Sequence, residues 1–144
     1  MRLPKYVTVE EAKRVCKKLG IRNWTMLKEP QVMPEEANAI LAELKTGEMK
    51  IHLESFRRGL EVELEHGIRF PEANVTNNHP ILTGQIVLAH FKESFDYYQR
   101  LEVVEIEGDL LKAVVAKNAS RVETLYRKLI KAKSALSQAE SDAL

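Results

Sequence analysis

Four residues in this 144-residue chain have the types and spacing to hold a cation: Glu63 and His66, and His90 and Glu93. In each pair a carboxylate and an imidazole stand three positions apart, in mirrored order. On a helix such positions place their Cβ atoms about 5–6 Å from each other, so each pair offers two donors to one ion. Carboxylate and imidazole together suit zinc, iron or manganese, and constellations of this kind occur inside helical bundles. Asp96 and Tyr97 follow within a turn and would orient the ligands or add one. A structural alternative stands beside this. His66 then acts as a cation at the end of its helix, His90 as a hydrogen-bonded core histidine, and the glutamates are solvated or paired with Arg57 or Arg100. Glu-x-x-His motifs are short and recur by chance, so both readings remain open.

The elements that must position these residues are legible from periodicity. In the segment from about Lys50 to His66, Leu53, Phe56, Leu60 and Leu64 recur at spacings of three and four and form a core stripe. His52, Gly59, Glu63 and His66 fall on one flank of that stripe, and Glu61 and Glu65 on the opposite side. Gly67 is expected to end the helix. Pro80 opens a long helix to about Glu107, whose stripe is Val87, Leu88, Phe91, Phe95 and Tyr98, with His90, Glu93 and Tyr97 on a flank. The intervening stretch IRFPEANVTNNH has no periodicity. It permits an antiparallel return that brings the two flanks face to face, and loops of this length are often functional. His52 and His79 are weaker candidates, with His79 suited to a cap or turn before Pro80.

The remaining elements frame this pair. Thr8 and Glu11 form a capping box for a helix over about 9–19, with Gly20 as its stop. Residues 21–33 read as an ordered connection anchored by Trp24 and Met26. Pro34 starts a second helix that carries Ile40, Leu41 and Leu44 and ends at Gly47. Gly108 is the expected break before a C-terminal helix containing Leu110, Leu111, Val114, Val115, Val122, Leu125, Leu129, Ile130 and Leu136. The whole reads as an all-α, single-domain helical bundle of about five helices over 1–144, with a core at 9–107 and a C-terminal helical extension at 108–144.

Composition excludes several function classes. Hydrophobic residues at 44% and charged residues at 30% describe a folded chain, and a net charge of +1 offers no general attraction to nucleic acid or anionic lipid. Arg121, Arg127, Lys128, Lys131 and Lys133 are interspersed with Glu123 and apolar residues, which describes a solvated amphipathic face, so no nucleic-acid partner is expected. The single cysteine, Cys16, forbids an internal disulfide and the CxxC zinc frameworks, and its place in the first helix suits a structural thiol. No run approaches the ~18 apolar residues of a membrane span, and no apolar signal core opens the chain, so a cytoplasmic protein is expected. Neither a Ser-His-Asp arrangement nor a phosphate-cradling glycine loop is present.

The strings VELEHG (62–67), NVTN (74–77), LTG (82–84), Ala89-His90, Glu93 and DYYQRLE (96–102), with the opening TVEEAKRVCKKLGI, resemble an uncharacterised family of small bacterial and phage proteins, a domain of unknown function. The resemblance implies an α-helical fold and directs attention to Glu63, His66, His90, Glu93, Asp96 and Tyr97. It implies no activity, cofactor or partner. Where that family carries two acidic residues, this chain has Asn78 and His79, and 23–49 is longer than usual. The favoured expectation is a non-enzymatic binding or structural module of bacterial or phage origin, whose C-terminal helices meet a protein partner or a second copy. The alternative is a zinc, iron or manganese protein with its site between two antiparallel helices.

Overall fold

The computed structural model describes residues 7–144, and the described residues form six α-helices and two short 3-10 turns, with no strand among them. The helices are α1 (Val9–Leu19), α2 (Pro34–Glu43), α3 (Leu53–Arg69), α4 (Pro80–Glu93), α5 (Tyr97–Val115) and α6 (Ala119–Asp142). The expected all-α class holds. The chain divides into two compact units, Met1–His90 and Phe91–Leu144.

Local chemistry sets several boundaries in the first unit. The Thr8 hydroxyl accepts from the Glu11 N–H, and Gly20, at φ 69°, closes α1 in the left-handed conformation that glycine adopts without strain. Pro34 occupies the first turn of α2, where its missing N–H costs nothing, and the Glu36 carboxylate accepts from the Met33 N–H just ahead of it. The core joins Ala12, Val15 and Cys16 of α1 to Trp24, Val32, Ile40, Phe56, Leu60, Leu64 and Val87, all buried. Gly84 lets α4 approach closely, since a Cβ there would lie 2.7 Å from Leu44 Cδ1 and 3.0 Å from Ile40 Cγ2.

In the second unit α5 and α6 form a helical hairpin. Val103, Leu129 and Ala132 make its buried centre, with Ile106, Leu110 and Leu136 packed against it. The turn between them uses Lys117 at φ 53°, after which Asn118 caps α6 by accepting from the Arg121 N–H.

Several expected boundaries move. Gly67 does not end α3, which begins at Leu53 and continues to Arg69, with His52 just ahead of its first residue. Gly47 lies beyond α2, which ends at Glu43. Gly108 is no break, because α5 runs through it. The long helix expected over 80–107 is interrupted at Ser94–Asp96, where the Ser94 hydroxyl donates to Asp96 and Arg100 pairs with the same carboxylate at 2.7 Å. Phe95, placed on the core stripe by periodicity, is 54% exposed as a result, and Met26 is exposed rather than an anchor.

Candidate functional site

Glu63 and His66 stand one turn apart near the end of α3, and His90 comes from the last turn of α4 within the first unit. Glu63 Oε1 lies 3.5 Å from His90 Nε2, and its Oε2 lies 4.0 Å from His66 Nδ1. One carboxylate is thus bracketed by two imidazoles. The Glu63 side chain is the most enclosed of the three, and that of His66 is half exposed. As the side chains stand, no group of three or more His, Cys, Asp or Glu among the described residues is set to hold a metal ion.

Glu63 and His66 also form the polar end of an open pocket of about 330 Å³. Phe70, Val75 and Ile86 supply apolar walls, and Asn74, Thr76 and Thr83 add polar ones. The volume lies within the range of small-ligand sites.

The outer wall is a loop that the sequence builds from asparagines. Asn74 Nδ2 donates to the Gly67 carbonyl at 3.1 Å and to Asn78 Oδ1 at 2.8 Å, while Asn78 Nδ2 donates to the Trp24 carbonyl at 3.3 Å. Asn77 donates to the Val7 carbonyl. Asn77 and Asn78 sit at φ 50° and 57°, a region that asparagine tolerates better than most residues. His79 then serves as the cap expected of it: its Nδ1 accepts from the Leu82 N–H at 3.3 Å, in the first turn of α4. Burial pushes the His79 imidazole below its ordinary value, against the opposing pull of Glu11. Periodicity could not reveal this network, because its partners lie up to 70 positions apart.

The other candidates lie at or beyond the end of α4. Glu93 is the last residue of that helix. Asp96 is fully buried, and its oxygens are held by Arg100 and Ser94. Burial opposes its ionisation, but these donors outweigh it and hold the carboxyl below the usual range. Tyr97 stacks edge-on against Tyr98, with ring centres 5.2 Å apart. Cys16 is buried, and burial pushes its thiol up, which suits a structural thiol rather than a nucleophile.

The hairpin presents a feature that helical patterning assigns to packing. Val104, Leu111, Val114 and Val115 of α5 and Tyr126 and Ile130 of α6 are each more than half exposed. In helical projection all six fall on the side of the hairpin that also carries the Glu107–Lys133 and Arg100–Glu140 ion pairs. The basic residues of α6, expected on a solvated face, are exposed, with Arg127 paired to Glu123. No helix among the described residues is long and apolar enough to cross a membrane.

No curated protein and no solved structure matches the chain. The pattern of the family described as "Protein of unknown function (DUF5661)" matches residues 12–107, from α1 into α5 and therefore across the Glu63–His66–His90 cluster and the asparagine loop. That match covers more than half of the sequence, and the chain belongs to this family.

Proposed function

We propose that the protein is a non-enzymatic binding module that self-associates through the exposed apolar side of the α5–α6 hairpin. The observation that carries this reading is the clustering of Val104, Leu111, Val114, Val115, Tyr126 and Ile130 on one side. Together they expose on the order of 600 Å², large for a monomer and comparable to the ~800 Å² each partner contributes to a stable interface. The charges along one border of the patch are paired within the hairpin, Glu107 with Lys133 and Arg100 with Glu140, and those on the other border, Glu105 and Lys112, are of opposite sign. A second copy matches such a neutral apolar surface, whereas nucleic acid or anionic lipid would require unpaired positive charge. A cytoplasmic setting in bacteria or phage-infected cells completes the reading, supported by the single buried thiol and the sequence resemblance. Light scattering on protein eluting from a sizing column tests it. The wild type is expected at twice the mass of one chain, and a Leu111→Glu/Ile130→Glu variant at the mass of one chain with unchanged helicity. A wild type that elutes at single-chain mass at every loading contradicts the reading.

A second reading concerns the first unit, and the bracketing of Glu63 by two imidazoles favours it. Donors around a zinc ion at ~2.0–2.2 Å lie about 3.3–3.6 Å apart in a tetrahedral site. The 3.5 Å between Glu63 and His90 is near that spacing, and a side-chain rotation of half-exposed His66 would bring its nitrogen in. The adjoining pocket leaves room for a further ligand. In this reading zinc, iron or manganese binds Glu63, His66 and His90. Elemental analysis of untagged protein purified without chelator is expected to find near-stoichiometric metal, lost in a His66→Ala/His90→Ala variant. Metal retained by that variant, or none in the wild type after incubation with each ion, contradicts it.

A further inference from the structure

Gly108 sits in the middle of α5 without an internal reason to be glycine. Its φ is not positive, and a Cβ built on it would meet nothing within 4 Å. Gly67 and Gly84, also inside helices, behave differently: a Cβ on either would collide with neighbouring side chains. Glycine inside a helix is disfavoured relative to alanine, so a compensating contact is expected, and the described residues supply none.

The position of Gly108 says what that contact is. Leu101, Val104, Gly108, Leu111 and Val115 recur at spacings of three, four, three and four, the pattern of a helix–helix seam, and all but half-buried Leu101 are exposed. Gly108 is the central member of the five. Read in reverse about Gly108, Leu101 and Val115 exchange places, and Val104 and Leu111 fall within one residue of each other's position.

We infer that α5 of two copies pack antiparallel about a twofold axis at Gly108, an inference that rests on the association reading above. In that arrangement Leu101 faces Val115 of the partner subunit, and Val104 faces Leu111 of the partner subunit. The two glycines meet at the axis, where their missing side chains let the helix backbones approach. Glu105 and Lys112 border the seam on the side away from α6, Lys112 reaching Asp109 of its own helix at 3.0 Å, and the antiparallel arrangement brings Glu105 opposite Lys112 of the partner subunit. The bordering charges on the other side, Arg100 and Glu107, are already committed to Glu140 and Lys133 of α6. An antiparallel pairing also puts both α6 helices on the same side of the seam, so that Tyr126 and Ile130 of each copy join the interface. A parallel pairing places them on opposite sides and leaves those two residues in water.

Two sets of variants of the full chain test this by sedimentation. Gly108→Leu keeps the apolar character and is more favourable within the helix, yet it is expected to weaken dimerisation at least tenfold and to raise the thermal midpoint of dilute, monomeric protein. For orientation, Glu105→Lys and Lys112→Glu are each expected to weaken the dimer, and the double exchange to restore it. A wild-type dimer left equally tight by Gly108→Leu, or double-exchange protein that stays as weak as the singles, overturns the inference while leaving self-association standing. A wild type that never dimerises overturns both.

Discussion

The side-chain oxygen of Asn78 occupies the space that a Cβ on Gly67 would take, and Asn74 Nδ2 would lie 2.8 Å from the same atom. The glycine near the end of α3 is thus a packing site for the asparagine loop. The loop in turn forms one wall of the pocket beside Glu63 and His66.

Replacing Gly67 by alanine should therefore destabilise the protein although alanine favours helix. The helix term gains about 1 kcal/mol, while displacing a buried, hydrogen-bonded asparagine costs roughly 2–3 kcal/mol. A net loss of about 1–2 kcal/mol in urea unfolding is expected. A stabilised Gly67→Ala protein would show that the loop yields freely.

The Arg22–Glu36 pair should dominate the acid limb of stability in the first unit. Buried Glu36 accepts from Arg22 Nη2 at 2.7 Å, from the Arg22 N–H and from the Met33 N–H. Burial raises the cost of its charge, but these donors outweigh it and hold the carboxyl below its ordinary value. A depressed folded value means that the stabilisation is present above the unfolded value near ~4.3 and is lost as pH falls through the folded one. Glu36→Gln should cost about 2 kcal/mol at neutral pH, less than for a fully buried pair because Arg22 is partly exposed. The difference between wild type and variant should shrink below about pH 4. A difference constant down to about pH 2 would exclude the pair as its source.

His79 should contribute with a different pH dependence. Its Nδ1 accepts the Leu82 N–H and cannot do so when protonated, and burial also favours the neutral ring. The unfolded chain therefore takes up this proton first as pH falls. The stabilisation is present above the unfolded value near ~6.5 and declines as pH drops from there toward the lower folded value. His79→Asn retains a capping oxygen without a titrating ring, so its thermal midpoint should fall less than that of wild type between about pH 7 and about pH 5. Parallel curves would mean that the cap tolerates the imidazolium or that another histidine sets the slope.

What is legible in the sequence is what local chemistry decides. Thr8 and Gly20 bound α1, Pro34 and Pro80 open α2 and α4, and the approach of Glu63 to His90 follows from their flanks and the intervening loop. Gly67 and Gly108 read as stops because a glycine inside a helix looks the same in sequence as one that ends it. Asn74 and Asn78, seven and eleven positions away, distinguish the first case, and the empty space around Gly108 distinguishes the second. The interruption at Ser94–Asp96 contains neither glycine nor proline, and Phe91, Phe95 and Tyr98 continue the apolar period through it. It depends on a buried aspartate held by Arg100. The apolar side of the hairpin escapes for a related reason: the spacing of Leu111, Val115 and Ile130 identifies helices but does not say which stripe faces inward.

Sedimentation equilibrium of the untagged wild-type chain tests the central claim most directly. At about 50 µM the fitted mass should be twice that of one chain and should fall toward a single chain on dilution, as mass action requires. A fitted mass of one chain that stays fixed up to several hundred micromolar would contradict the account.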